Sequence, residues 1–328
     1  MLDHSSDTGS CGCSDSMLDP SLAYDPELGT QVQVSVLPAH MQKAEQTDEV
    51  RDLKRKIRRK MIEMERLLLL AVNKWMRFQT ETIMDDYEAA EDIQTFTKAD
   101  AVDNFVDSFT DWELLVTGGI AITRPAISEA FGAGGTIAFE LVEFVPFPFD
   151  PLKVSSAAVV DEICSNMVTA VTDETRRAIN VVIRNGIEKG KGYKAIGREL
   201  RPKVGLSEQM IGWSANREEQ LLIDGFSRAQ VDKKIAAYER KLHRIRNDSI
   251  ARTESARAMN EGQLQGFEEA GIETVFWFAL ADRCPICDPH DGEEFTIRTS
   301  RGVLPFHVQC RCMWLPMQVA GQGPQLAV

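Results

Sequence analysis

The sequence predicts a mainly α fold, a helical body that carries a small, cysteine-pinned α+β lobe at its C-terminus. Two observations predict the body. From Thr47 onward apolar residues fall at Leu53, Ile57, Met61, Met64, Leu68, Ala71, Trp75 and Phe78. These steps of four and three set them on one helical face. A second helical pattern runs from about residue 156 to 270. A third observation predicts the lobe. After Gly271 the pattern turns β-branched and aromatic in ETVFWFAL, and four of the seven cysteines lie within residues 284–312.

At 328 residues the chain exceeds one average domain, so two or three folded units are expected. A hydrophobic fraction of 43% and a charged fraction of 27% are ordinary for a soluble globular protein. No run of eighteen uninterrupted apolar residues appears, so no membrane span is expected. The opening MLDHSSDTGS has neither the basic nor the apolar region of a secretory signal. An odd, unevenly spread set of cysteines does not read as a secreted disulfide framework, and a reducing cytoplasm is the expected compartment. The net charge of −13 argues against a general nucleic-acid coat, because phosphate neutralisation needs lysine and arginine.

Taken in order, residues 1–45 are rich in Ser, Asp, Gly and Pro and read as a disordered acidic tail. Residues 1–40 hold six acidic residues and no Lys or Arg. Cys11 and Cys13 there read as incidental thiols. Residues 46–155 form an N-terminal helical region. Its first helix opens with the basic run Arg51, Lys54, Arg55, Lys56, Arg58, Arg59 and Lys60. A solvated face is the plain reading of that run; contact with an acidic partner or with DNA phosphates is the sharper one. The Gly- and Phe-rich stretch 117–151 reads as a boundary, with Pro146, Pro148 and Pro151 ending any helix.

Residues 156–318 form the next domain, with a tail at 319–328. Thr172 or Asp173 is expected to cap a helix there, Ser207 the next, and Asp248 the one after. Gly271 is the expected left-handed C-terminal residue of that last helix. EEFTI and CMWLPM are two further short strands of a lobe spanning 272–316.

Within the lobe, Cys284-x-x-Cys287 is followed by His307-x-x-Cys310-x-Cys312. Two ligand pairs separated by a loop suit a structural zinc site, and the lobe is expected to be zinc-pinned. Five donors compete for four places. Cys284, Cys287 and His307 are the expected ligands, with either Cys310 or Cys312 as the fourth. The two-residue step from Cys310 is expected to turn Cys312 away. Three thiolates and an imidazole leave about one excess negative charge on Zn²⁺, which Arg283 and Arg311 are placed to offset. Losing Cys284 is expected to release the metal and unfold residues 272–316.

The ordered set ARTESARAMNEG, Trp277, DRCPICDPHDG and PFHVQCRC resembles the phage head morphogenesis family typified by Mu F-like minor head proteins. The resemblance rests on Arg252-Thr253-Glu254, Asp282 before the first cysteine pair, Gly292 and the terminal H-x-x-C-R-C. It covers about residues 175–316. Val308 stands where the family often has proline after the histidine. The resemblance implies a non-enzymatic, portal-associated minor capsid protein of the virion head, made in the host cytoplasm. Its implied roles are head assembly and DNA packaging or ejection, and its implied partners the portal, scaffold or major capsid protein, with DNA a further candidate through the basic helix. Arg252 and Glu254 then read as an internal structural pair beside the zinc lobe.

Two enzymatic readings of the sequence stand beside this one. A zinc-stabilised nuclease of the histidine–asparagine–histidine type would use His290 and Asp291. However, no asparagine follows Asn260, and His307 is wanted by zinc. An ADP-ribosyltransferase-linked toxin would need a Glu-x-Glu loop, and Glu63–Glu65 has that spacing inside a helix. A zinc-ribbon DNA regulator is disfavoured because the lobe from Gly271 holds four arginines and no lysine.

Overall fold

The computed structural model describes residues 48–90, 100–142, 149–280 and 284–317. The expected tails at 1–45 and 319–328, with Cys11 and Cys13, fall outside them, as do Pro146 and Pro148. The described residues form α1 (Asp48–Ala89), α2 (Asp100–Ser108), α3 (Trp112–Leu141), α4 (Val154–Glu188), α5 (Tyr193–Leu200), α6 (Glu208–Ile223), α7 (Arg228–Glu269), β1 (Thr274–Phe278), β2 (Glu294–Thr296), α8 (Ile297–Ser300) and β3 (Met313–Pro316). The mainly α class with a small α+β lobe at the C-terminal end is therefore the observed one. Two compact units divide the chain. The first draws on residues up to 68, 126–163 and 250 onward; the second holds 69–125 and 164–249.

In the first unit, α1 buries Ile57, Met61, Met64 and Leu68, the face its spacing predicts. The Gly- and Phe-rich stretch does not break there. Its residues 117–141 lie within α3, a continuous helix in spite of glycines that each disfavour helix. Packing against α7 explains the exception. A Cβ on Gly134 would overlap the Met259 carbonyl, and one on Gly262 the Phe131 carbonyl. A Cβ on Gly266 would sit 3.0 Å from the Gly135 carbonyl oxygen and 2.8 Å from Ala138 Cβ. The glycines are thus where two backbones meet, and the lost helix propensity is offset by close contact. Phe131, Phe149 and Phe267 fill the space around that seam.

The second unit has a core of Ile83, Met84, Tyr87, Phe105, Val106 and Leu115 with Ile179, Val182, Ile183, Ile196, Leu200 and Leu242. Val72 rather than Ala71 is buried beside Trp75. Ser207 caps α6 as predicted, its side chain accepting from Met210 N. Two other predicted caps are corrected. Thr172 and Asp173 lie inside α4, where buried Thr172 accepts a bond from Gln79 Nε2 at 3.1 Å. Asp248 lies inside α7, a single 42-residue helix. Short polar side chains signal a cap only where the apolar periodicity stops, and here it continues on both sides. By length and composition alone α4 is long and apolar enough to cross a membrane. It carries Asp161, Glu162, Asp173 and Glu174, and its Val160, Cys164, Met167 and Val168 are buried in the fold, which accounts for its apolarity.

His243 in α7 is half-buried, and its Nε2 lies 2.8 Å from the Pro202 carbonyl oxygen. Burial lowers its pKa below the usual histidine value. The folded chain therefore binds this proton less readily than the unfolded chain. The neutral ring's stabilisation is complete above about pH 6.5 and is lost as pH falls through the depressed folded value. Nearby Glu239 has the opposite sense, since burial raises its carboxyl. Comparing wild type with His243→Gln isolates the histidine: the wild type is expected to lose more stability in urea titrations between pH 7 and 5.

α7 ends at Gly271, whose φ of 76° is in the left-handed region. β1 follows and takes the centre of an antiparallel sheet of order β2-β1-β3. Trp277 faces Trp314 across β1 and β3, and both are buried. Thr296 caps the one-turn α8 in a reciprocal box with Thr299. The three strands coincide with the stretches read from the sequence.

Candidate metal centre

The first cysteine pair follows the end of β1. Backbone N–H groups of Cys287 and Asp288 both donate to the Cys284 carbonyl at 2.9 Å, a tight turn that brings the two thiols together. The second arm turns likewise, Cys310 N donating to the His307 carbonyl at 3.1 Å. Gln309 between them has a φ of 64°, a left-handed conformation costly for a residue with a side chain.

His307 Nδ1 lies 2.8 Å from the Val308 carbonyl oxygen. A carbonyl only accepts, so Nδ1 carries the proton and Nε2 offers its lone pair. That Nε2 is 3.2 Å from Cys284 Sγ and 3.1 Å from Cys287 Sγ. Cys287 Sγ is 3.7 Å from Cys310 Sγ. The donor atoms of Cys284, Cys287 and His307, and those of Cys287, Cys310 and Cys312, each lie within 4.8 Å of one another. All four thiols are buried. Sulfurs about 2.3 Å from a tetrahedral ion stand roughly 3.8 Å apart, so the spacing fits a metal ion. The expectation that Cys312 turns away is corrected. In extended backbone a two-residue step returns to the same side, and Cys312 joins the cluster.

The buried donors share protons among themselves. Hydrogen bonds from Cys287 and Cys312 hold Cys310 well below the usual thiol range, while the Cys287 and Cys312 thiols are pushed up. Burial works against a charged His307, but the bond to Cys310 outweighs it and raises the ring to about 9. The Cys312 N–H also lies 3.4 Å from Cys310 Sγ.

The structure gathers some predicted site residues here and disperses others. Lys54, Arg55, Arg58, Arg252 and Arg311 line a cavity of about 240 Å³ together with the thiols and His307. Lys54 Nζ sits 4.6 Å over the Phe278 ring. Arg311 donates to both carboxylate oxygens of Glu65, at 2.6 and 2.7 Å, and Arg252 Nε stands 4.0 Å from the same group. Glu254 instead pairs with Arg257 at 3.1 Å, and burial pushes its carboxyl up. Of the other basic residues, Arg55 also pairs with Asp52, Lys56 with Glu140 at 2.8 Å and Lys60 with Glu63 at 3.1 Å. Arg59 is exposed. Asp282, Arg283 and the Arg51 side chain lie outside the described residues.

The nuclease candidates have other work. His290 Nδ1 lies 2.9 Å from Glu293 Oε2, and its ring stacks on Trp277. Asp291 accepts from Ala279 N at 2.7 Å. Glu63 and Glu65, the Glu-x-Glu pair, are engaged by Lys60 and Arg311. Glu65 is a site residue that sequence reasoning missed in this role. Its partner lies 246 residues away, and no local pattern signals such a pair.

A helical body with a compact cysteine- and histidine-bearing lobe defines the class: a protein whose small terminal sheet is organised around a cluster able to hold a metal. Residues 177–315 match the family described as Phage Mu protein F like protein. That segment is similar to the family, and it contains all five candidate ligands and the Arg252-Thr253-Glu254 helix. No curated protein and no solved structure matches the chain.

Proposed function

We propose that this chain is a minor head protein of a phage that acts in head assembly at the portal and is not an enzyme. The family match over residues 177–315 carries this reading. A non-enzymatic role accords with His290, Asp291, Glu63 and Glu65 each being engaged in an internal contact. Portal, scaffold and major capsid protein are the proposed partners. The exposed part of the basic run on α1 is the surface offered to DNA during packaging or ejection.

Zinc is the proposed metal. Cys284, Cys287, His307 and Cys310 are its ligands, because soft thiolates with one imidazole in a four-donor set favour it. Its role is structural: it closes a lobe whose three strands, of five, three and four residues, build little core. Arg311 and Arg252 lie where they offset the excess thiolate charge.

Quantitative mass spectrometry of purified virions and procapsids tests the assignment. Presence in the particles at low copy number relative to the major capsid protein is the expected result. Absence from both particles would refute the head role and leave the match as a shared lobe.

A further inference from the structure

We infer that Thr253 and Asn260, on one side of α7, are positioning residues that set the His307–Cys312 arm in its ligand geometry before metal binds. The inference rests on the metal reading above and assigns a task to the middle residue of the Arg252-Thr253-Glu254 motif.

The arm between His307 and Cys312 is short, carries three candidate ligands, and includes a left-handed Gln309. A strained conformation persists only where its surroundings over-determine it. Here the determinants come from α7. Gln309 N donates to Thr253 Oγ1 at 2.9 Å, and Arg252 Nη1 reaches Gln309 Oε1 at 3.4 Å. Buried Asn260 donates through Nδ2 to the Cys312 carbonyl at 3.1 Å and to the Ala256 carbonyl at 2.8 Å. Thr253 therefore fixes the residue before Cys310, and Asn260 fixes Cys312 itself. These residues lie seven apart, two helical turns, so they grip the arm at two points from one helix face.

None of these groups contacts the metal position. They hold the backbone that aims the sulfurs, the outer-shell role whose loss typically lowers metal affinity 10- to 100-fold. α7 thereby holds the arm's ligand geometry, with Arg252 and Thr253 of the resemblance motif both on Gln309.

The test uses the full-length chain, Co²⁺ as the probe, and competition with a chelator of known affinity. Wild type is expected to bind one Co²⁺ with an intense thiolate-to-cobalt absorption and tetrahedral visible bands. Thr253→Val keeps the side-chain shape but removes the oxygen. It is expected to weaken binding 10- to 100-fold and to shift or broaden the visible bands, with Thr253→Ser restoring both. Asn260→Ala is expected to do the same. If it fails to fold, Thr253→Val decides alone. Affinity and bands unchanged in Thr253→Val would overturn the positioning role while leaving the metal site standing. A wild-type chain that binds no Co²⁺ would instead overturn the metal reading, and the positioning role with it.

Discussion

Replacing Cys287 by serine is expected to release the metal and unfold the lobe from Ile272 to Pro316 while the helices of the second unit persist. Cys287 is the sharpest choice because it belongs to both donor groups, Cys284–Cys287–His307 and Cys287–Cys310–Cys312. Loss of Cys284, expected from its spacing to be as damaging, leaves Cys287, Cys310 and Cys312 a whole group; without Cys287, neither group is whole. Structural zinc contributes on the order of 10 kcal/mol or more to small domains that depend on it, which far exceeds what three short strands can supply. Trp277 and Trp314 report directly on the lobe, since both are buried there. A red-shifted emission and new cleavage sites between 272 and 316 are expected, with far-ultraviolet helical signal largely retained. A variant with native emission and unchanged protease resistance would contradict a metal-built lobe.

Alanine at Gly134 or Gly262 is the second large effect. Each added methyl meets a backbone carbonyl across the α3–α7 seam, at Met259 and Phe131. A backbone group cannot swing aside as a side chain does, so the helices must separate. Overpacking typically costs about 1–3 kcal/mol where side chains yield, and about 3 kcal/mol or more is expected where they cannot. Helix propensity alone predicts the opposite, since alanine improves on glycine by about 1 kcal/mol. The sign of the change in chemical denaturation therefore decides between seam and propensity. The double variant should cost less than the sum, because both methyls open the same contact.

What was legible in the sequence was local. The apolar face of α1, the Ser207 cap, the end of α7 at Gly271 and the three strands each follow from residues within a few positions of one another. The cysteine cluster was legible for the same reason, as two short turns each carrying its own ligand pair. The misses have a common cause in tertiary contact. Thr172 and Asp248 look like caps until the helices on either side prove continuous. The glycines of α3 mark where α7 packs against it, a contact that no local pattern shows. Arg311 was read as a neighbour of the metal by its sequence position, and Glu65, its partner, comes from the first helix. Cys312 was misjudged on geometry that the chain itself could have supplied, since alternate residues of an extended arm share a side.

The most direct measurement is the metal content of the full-length chain, purified under reducing conditions without added metal, together with X-ray absorption at the zinc edge. One zinc per chain, with three sulfurs at about 2.3 Å and one nitrogen at about 2.0 Å, is the predicted result. A folded lobe with no bound metal, or a metal without sulfur neighbours, would contradict it.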